Sequence, residues 1–381
     1  MIDLDAAATT PVRREALEAM WPLLAGDYGN PSSTHGLGGD AARVLAEARG
    51  ALAALLGVPE GGLVFTSGGT EAANLAVKGI ALGRPRGRHV VVSSVEHEAV
   101  LESADHLRRL HGFTVTALAV DGAGRVDAAE LSAALRADTT LVSVQLANNE
   151  VGTVQDVAAL AALAHEAGAC FHTDAVQAAG WLPLQLGALG VDALSVSGHK
   201  FGAPKGTGLL ALASALPLEP VIHGGGQERG ARSGTENVAG AVALAVAASL
   251  AEAERPEAAD RVGALRDRLV EGVLAVAPEA MLTGDPQRRL PNIASFCFPG
   301  VNGESLLLAL EERGVYASSG SACAAGSTEP SHVLLAMGFP PELAHTAVRF
   351  SLAHSTTAED VDEAVQATAD ALGALRRFSS R

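Results

Sequence analysis

Short apolar runs, many of them β-branched, alternate with helical stretches rich in Ala and Leu over the first 215 residues of the 381-residue chain. The runs predicted as strands are residues 63–66, 89–93, 114–118, 140–146, 169–173, 193–197 and 208–212. The helical candidates between them include 41–56, 98–111, 128–136 and 157–167. Strands of nearly continuous apolar character separated by helices are typical of a parallel sheet covered on both faces. The alternation therefore predicts an α/β fold whose strand ends, and any ligand, lie at one edge of the sheet.

The pattern changes after about residue 215. A Gly-rich loop at 223–230 leads into a predicted helix, 237–254, which Arg255-Pro256 is expected to break before a second helix at 259–276. The later strand-like segments are 293–298 and 348–352, with helical candidates at 305–313 and 358–375. This part is predicted to be a smaller α+β domain. We expect a large domain over 13–256 and a small one formed by 1–12 and 257–381.

Charge and cysteine content narrow the class of function. The chain has 27 Lys and Arg against 43 Asp and Glu, a net charge of −16, which disfavours direct binding to nucleic acid or to anionic membranes. Its three cysteines do not make a disulfide framework and favour a reducing compartment. No signal peptide is expected at the start, and the longest uncharged apolar run, 238–251, is too short for a membrane span of about 20 residues. We therefore expect a cytoplasmic protein without a membrane partner.

The loop after the predicted strand 193–197 carries the strongest local signal. The strand ends in small residues and is followed by His199 and Lys200. A lysine at such a strand end can form a Schiff base with an aldehyde where the surroundings favour the neutral amine. Most lysines are solvated surface residues, so the motif alone leaves both interpretations open.

Two other segments place polar groups at the same predicted edge. Asp174 ends the preceding strand, and its carboxylate can keep a pyridinium nitrogen protonated or can cap the next helix. Segment 66–74 passes from a strand through Gly68-Gly69 into a helix, where backbone N–H groups and the Thr70 hydroxyl suit a phosphate. A plain tight turn is the alternative for this segment.

Cys323 lies in a run of small residues, 319–326, that predicts an exposed loop. Free cysteines are usually buried, so an exposed one suggests a chemical role. Cys170 and Cys297 lie within apolar strands and are predicted to be core residues.

Eight ordered motifs along essentially the whole chain resemble those of the cysteine desulfurases of the nitrogen-fixation and iron–sulfur-assembly type. They are LDAAATTP (4–11), GNPSSTH (29–35), TSGGTE (66–71), NNEVG (148–152), DAVQ (174–177), SGHK (197–200), RSGTEN (232–237) and SSGSAC (318–323). The resemblance implies a fold-type I enzyme of the class-V aminotransferase family that uses pyridoxal 5′-phosphate (PLP) and no metal. It also implies a mostly parallel seven-stranded sheet flanked by helices, with a smaller α+β domain.

The resemblance implies a role for each matching residue. Lys200 forms the Schiff base with PLP, Asp174 pairs with the ring nitrogen, and His97 stacks on the ring and serves as an acid or base. Gln177 and Asn149 contact the side of the ring that carries the hydroxyl, and Asn149 also contacts the substrate carboxylate. Without the resemblance, a helix cap is favoured for His97, and ordinary turn and cap hydrogen bonds for Gln177 and Asn149.

Further implied contacts involve the cofactor phosphate and the substrate carboxylate. Thr70, Ser197 and His199 bind the phosphate, and Thr235 reaches the phosphate in the partner subunit of a homodimer. Arg349 binds the α-carboxylate, a role that suits a bidentate guanidinium. Without the resemblance, Arg349 is expected to be a solvated charge at the end of an edge strand.

The implied reaction converts L-cysteine to L-alanine and leaves a persulfide on Cys323. A sulfur-acceptor protein, such as an iron–sulfur scaffold or a thiolation protein, then takes the sulfur. Selenocysteine lyase or another fold-type I PLP enzyme is the alternative. The chain departs from the family's pattern at Ala6, Ala231 and Ala353-His354, where the family commonly has Asn at the first position and Gly-Arg at the last. The first and last departures concern the finer substrate contacts.

Overall fold

A computed structural model describes residues 1–83, 85–320 and 329–379. Its strands are β1 (Ile2–Asp3), β2 (Leu63–Thr66), β3 (His89–Ser93), β4 (Thr114–Leu118), β5 (Thr139–Ser143), β6 (Cys170–Asp174), β7 (Ala193–Ser197), β8 (Gly208–Leu212), β9 (Met281–Leu282), β10 (Ile293–Cys297), β11 (Val315–Tyr316) and β12 (Ala347–Ser351). Its α-helices are α1 (Arg14–Ala25), α2 (Gly36–Leu56), α3 (Gly69–Asn74), α4 (Ile80–Gly83), α5 (Glu98–His111), α6 (Ala128–Ala134), α7 (Val157–Glu166), α8 (Leu186–Leu189), α9 (Val238–Val276), α10 (Gly303–Glu311), α11 (His332–Ala336), α12 (Pro341–Ala344) and α13 (Ala358–Ser379). A π-helical segment, Leu75–Gly79, joins α3 to α4.

The central sheet has seven strands in the order β2-β8-β7-β6-β5-β3-β4. The strands from β7 through β6, β5 and β3 to β4 are parallel, whereas β8 is antiparallel to both of its neighbours. Residues 198–207, which connect β7 to β8, are too few for the crossover that a parallel connection needs, so β8 runs in the opposite direction. The prediction of a mostly parallel seven-stranded sheet is confirmed.

Both faces of the sheet are covered, as the apolar strands predicted. Val91 of β3 faces one buried cluster, which includes Phe171 and residues of α9. Its neighbours Val90 and Val92 face a second cluster that includes residues of α3 and α5. Successive side chains of a strand point to opposite faces, so each strand contributes to two cores.

The C-terminal part is built around an antiparallel sheet in which β10 lies between β12 and β9. The first residues of the chain belong with it: β1 pairs with β11, and the Ala6 N–H donates to the Ser351 carbonyl at 3.1 Å. This arrangement accords with the smaller α+β region that the sequence predicts. Its proposed bounds, 1–12 with 257–381, remain a prediction.

The prediction that Arg255-Pro256 breaks a helix is wrong. Helix α9 runs without interruption over 39 residues with Pro256 inside it. It packs against α1, α2 and α13. Proline removes one hydrogen bond and crowds the preceding turn, and the packing of α9 on three other helices compensates for that loss. The proposed boundary at residue 256 thus falls within one continuous helix.

Other predicted bounds differ slightly from those observed. Strand β5 ends at Ser143 rather than at Leu146, although the Leu146 N–H still donates to the Asp174 carbonyl at 2.9 Å. Cys297 is buried as predicted, whereas Cys170, at the start of β6, is only partly buried and was wrongly assigned to the core. In the part of the chain that the structure describes, no helix has the length and apolar character needed to cross a membrane.

Candidate active site

A cavity of about 570 Å³ lies at the carboxyl ends of the parallel strands, the place where α/β sheets usually bind ligands. It is lined by nine of the predicted site residues: Thr70, His97, Asn149, Asp174, Gln177, Ser197, His199, Lys200 and Arg349. These residues come from segments as far apart in the chain as 70 and 349. The fold therefore brings together what the sequence predicted from separate motifs.

Lys200 follows β7 on a short 3-10 turn, Gly198–Lys200. Its Nζ donates to the carbonyl oxygens of Ala7 at 2.6 Å and Ala8 at 2.9 Å. The Gln177 amide Nε2 also donates to the Ala7 carbonyl, at 3.0 Å. The N-terminal segment thus holds the Lys200 amine at the cavity wall. The sequence around Lys200 does not predict this contact.

Asp174 ends β6 on the cavity floor and is buried. Its Oδ1 accepts a hydrogen bond from the Val176 N–H at 2.9 Å, but the next residues form a turn and no helix, so the predicted helix cap is wrong. Burial raises the pKa of this carboxyl, and His97 and Lys200 act in the opposite direction. A cation that reaches this carboxylate in the cavity would therefore be bound strongly, because few waters compete with it.

His97 caps helix α5, and its Nδ1 accepts a hydrogen bond from the Ala99 N–H at 3.0 Å. The ring also lines the cavity. The preceding residue, Glu96, is fully buried, and its Oε1 accepts hydrogen bonds from the Ser93 hydroxyl and the Gln145 N–H. Burial raises the pKa of Glu96 to about 8. Sequence reasoning missed this residue, although it directly precedes a predicted one.

The turn from β2 into α3 forms a cradle of backbone at the cavity wall. A Cβ placed on Gly69 would lie 2.6 Å from Val176 Cγ2 and 3.2 Å from Ser197 Cβ, so the cradle admits only glycine there without displacement. Glu71 accepts hydrogen bonds from the backbone N–H and hydroxyl of Ser67 and forms an ion pair with Arg232 at 2.9 Å. These contacts hold the Ser67–Thr70 turn in one conformation.

His199 completes the polar side of the cradle. Its Nδ1 lies 3.1 Å from the Thr9 hydroxyl. Burial, with Lys200 and Lys205 nearby, lowers its pKa to about 4, so the ring is neutral at neutral pH. Lys205 also lines the cavity and was missed from the sequence. The neutral His199, the hydroxyls of Thr70 and Ser197 and the Lys205 amine together suit a phosphate dianion.

Arg349 is buried in β12, contrary to the expectation of a solvated charge that its residue type alone favours. Its Nη1 donates to the Asn149 carbonyl at 2.7 Å, and its Nη2 forms an ion pair with Asp5 at 2.8 Å. The Nε is buried and has no hydrogen-bond partner within the described residues. Arg349 also lines the cavity, and Asp5, which pairs with its guanidinium, is a further residue that sequence reasoning missed.

Among the described residues, Thr235 is a predicted site residue that does not line this cavity. Thr235 is exposed and lines a separate cavity of about 180 Å³, which shares Ser67 and Gly206 with the larger one. Cys323 lies outside the described residues. Among the described residues, no group of three or more side chains is arranged to hold a metal ion.

The cavity fits PLP, the cofactor that the resemblance implies. Its glycine cradle, which a Cβ would fill, lies beside donors for a phosphate, and the buried Asp174 carboxylate lies beside an amine at Lys200. An aldehyde, a protonated ring nitrogen and a phosphate are the groups that such a set of side chains can hold at once.

Comparison with known proteins agrees with this geometry. The chain matches the family Aminotransferase class-V over residues 2–364. It is 46% identical to a protein named cysteine desulfurase IscS from Methanosarcina thermophila, over 99% of this chain and 93% of that one. Among solved structures, a NifS-like protein aligns with a TM-score of 0.91 and 38% identity, over 98% of this chain and 100% of the other. A structure titled SspA in complex with cysteine aligns with a TM-score of 0.80 and 34% identity, over 92% and 99%. The chain therefore belongs to the class-V aminotransferase family and, within it, to the PLP-dependent cysteine desulfurases.

Proposed function

We propose that this protein converts L-cysteine to L-alanine and retains the sulfur as a persulfide on Cys323. The observation that carries the proposal is the single cavity that joins an amine, a buried carboxylate, a histidine and a buried guanidinium. The relative from Methanosarcina thermophila carries the name of this activity. The neighbour SspA is titled as a complex with cysteine, which supports cysteine as substrate.

Different residues of the chain would bind the cofactor, bind the substrate and transfer protons. PLP, when bound, withdraws electron density from the α-carbon of the amino acid. Asp174 would hold a proton on the ring nitrogen, and Lys200 would anchor the cofactor and carry protons at its Nζ. Arg349 would bind the substrate carboxylate from the cavity wall. His97 lies where it can exchange protons with a bound molecule.

The sulfur transfer balances without an external oxidant or reductant. The Cys323 thiolate attacks the sulfur of L-cysteine, an S–S bond forms and the carbon–sulfur bond breaks. The electron pair of that bond stays with the carbon, which takes up a proton to give alanine. Because the thiolate is the attacking form, the step depends on deprotonation of Cys323.

We propose further that the working unit is a homodimer in the cytoplasm and that it passes sulfur to an acceptor protein. Thr235 is exposed and outside the cavity of its own chain, which supports a role in the site of a second copy. The acceptor proposed is an iron–sulfur scaffold or a thiolation protein.

The test replaces the cysteines one at a time. Cys323→Ser removes the nucleophile, since a hydroxyl is scarcely ionised at neutral pH whereas a thiol is a few per cent thiolate. We expect this variant to bind PLP and to change its spectrum when cysteine is added, but to form no persulfide. The matched controls, Cys170→Ser and Cys297→Ser, should turn over at nearly the wild-type rate. Normal desulfuration by Cys323→Ser would refute the proposal.

A second test concerns Lys200. Lys200→Ala should bind PLP reversibly, without the covalent link that borohydride fixes, and should lose turnover. Full turnover by Lys200→Ala would show that the anchoring amine lies elsewhere.

A further inference from the structure

Glu150 is a buried carboxyl that the proposed mechanism does not use. It directly follows Asn149, which lines the cavity, and only 4% of its surface is exposed. Its Oε2 accepts a hydrogen bond from the Ser331 hydroxyl at 2.5 Å. Burying a carboxyl is costly unless its hydrogen bonds are made inside the protein, so this contact calls for an explanation.

The same side chain also packs against Gly320. A Cβ placed on Gly320 would lie 3.4 Å from Glu150 Cβ and 3.5 Å from Glu150 Oε2. Gly320 has a φ of +89°, a conformation that favours glycine. The Gly320 backbone therefore lies within van der Waals reach of the Glu150 side chain.

Gly320 and Ser331 flank the stretch of sequence that contains Cys323. One buried glutamate thus contacts the chain before Cys323 and the chain after it. Both contacts are made beside Asn149, whose carbonyl accepts a hydrogen bond from Arg349.

Neighbouring contacts reinforce both attachments. On the first side, the Ser318 N–H donates to the Arg349 carbonyl at 3.1 Å, and the Arg349 N–H donates to the Ser318 carbonyl at 2.6 Å. On the second side, His332 Nε2 lies 3.0 Å from the Glu96 carbonyl. Burial raises the pKa of Glu150, and His332 and Arg349 act in the opposite direction. The contacts with Ser331 and Gly320 can hold the Glu150 side chain even when its carboxyl is not fully ionised.

We propose that Glu150 is a positioning residue that fixes the chain on both sides of Cys323 against the wall formed by Asn149 and Arg349. The proposal rests on Cys323 as the nucleophile. If Glu150 has this role, persulfide formation depends on Glu150. Binding of PLP and of cysteine does not depend on it.

The experiment compares Glu150→Ala, Ser331→Ala and Glu150→Gln in the PLP-loaded full-length enzyme. Single-turnover persulfide formation on Cys323 is measured with a persulfide-reactive probe, and cysteine binding is measured from the change in the PLP absorbance. We expect Glu150→Ala and Ser331→Ala to form persulfide at least tenfold more slowly, with the half-saturating cysteine concentration within twofold of wild type. Glu150→Gln should recover to within threefold of the wild-type rate, because its amide oxygen can accept the Ser331 hydroxyl.

A readout independent of turnover is the rate at which iodoacetamide alkylates Cys323 without cysteine present. We expect it to change at least threefold in Glu150→Ala and Ser331→Ala and to stay at the wild-type value in Glu150→Gln. The matched control is Ser103→Ala, which removes another buried serine hydroxyl, bonded to the Ala99 carbonyl at 2.7 Å. This control should form persulfide at the wild-type rate.

Wild-type persulfide rates in both Glu150→Ala and Ser331→Ala would overturn the proposal. An equal loss of cysteine binding and persulfide formation would also overturn it, since Glu150 would then support the cavity in general. The proposed function is judged separately by Cys323→Ser: if that variant is inactive while Glu150→Ala is normal, only the positioning role fails.

Discussion

Glu96 and Asp174 are two buried carboxyls close enough to influence each other, and Asp174 lines the cavity. Burial is the largest cause of the raised pKa of Glu96, about 8, and Asp174 raises it further. The hydrogen bonds from Ser93 and Gln145 and the nearby His97 act in the opposite direction. Glu96 is therefore mostly protonated in the folded protein at neutral pH.

This protonation predicts how stability depends on pH. The folded protein retains a proton on Glu96 that the unfolded chain, with the ordinary pKa of 4.5, has released. The stabilising contribution is thus complete below pH 4.5 and is lost as the pH rises through about 8. Since one pKa unit corresponds to about 1.4 kcal/mol, we expect Glu96→Gln to lose less stability than wild type, by roughly 2–4 kcal/mol, between pH 5 and pH 8.5.

Urea unfolding across that pH range measures the difference. Glu102→Gln removes an exposed carboxylate from the next helix, α5, and serves as control. A Glu96→Gln curve parallel to that of wild type would show that Glu96 is ionised in the folded state.

At the same scale, the sequence predicted the site residues that lie at strand ends and missed those that act through distant contacts. Asp174 ends a strand, Lys200 and Thr70 each follow one, and nearby small residues mark their loops. Asp5 lies 344 residues from its ion-pair partner Arg349. Only the folded chain brings such partners together, and no pattern of spacing encodes that contact.

Gly69 is the first residue of helix α3 and lies at the cavity wall. Its absent side chain leaves room for Val176 and Ser197, which line the same cavity. Gly69→Ala places a methyl group 2.6 Å from Val176 Cγ2, so the cradle must shift against the cavity floor. We expect PLP affinity to fall at least tenfold, measured by equilibrium titration of the apoprotein. Gly61→Ala, where an added Cβ meets nothing within 4 Å, should bind PLP normally.

Among the elements, α9 is the helix whose length local helix propensity did not predict. Proline is a strong helix breaker, and the sequence around Pro256 offered no sign of the packing that overrides it. The strands were predicted more closely, because β2, β3, β4, β7 and β8 are short apolar runs bounded by polar residues or glycine. The antiparallel direction of β8 was not predicted, and the short connection of residues 198–207 explains it.

The proline inside α9 predicts a stabilising substitution. Pro256 is exposed within α9, so Pro256→Ala leaves no cavity and restores a backbone donor to the helix. We expect the free energy of unfolding to rise by roughly 1–3 kcal/mol, measured by urea unfolding. Pro59→Ala is the control: Pro59 has a φ of −65° in an extended segment, where loss of proline should be neutral or slightly destabilising. Destabilisation by Pro256→Ala would mean that the native helix depends on a bend at this point.

For the whole molecule, the first and last parts of the chain meet at the cavity. Ala7 and Ala8 hold the Lys200 amine, and Asp5 pairs with Arg349. The site is thus assembled from the N-terminal segment, the central sheet and the C-terminal sheet together. We expect the PLP-binding activity to be lost when any one of these parts unfolds.

The proposed dimer makes a further prediction about the whole molecule. If Thr235 serves the partner's cavity, a dimer that carries Lys200→Ala on one subunit and Thr235→Ala on the other keeps one complete site. A dimer that carries both substitutions on one subunit keeps none, because the wild-type subunit then lacks its partner's Thr235. Co-expression with two different affinity tags gives both dimers, and borohydride-fixed PLP is titrated in each. We expect wild-type affinity for one PLP per dimer in the first and at least tenfold weaker binding in the second, with a sedimentation mass near twice 38.5 kDa. If Thr235 acts within its own chain, the order of the two dimers reverses, and a monomer of full activity at nanomolar concentration would remove the basis for the dimer altogether.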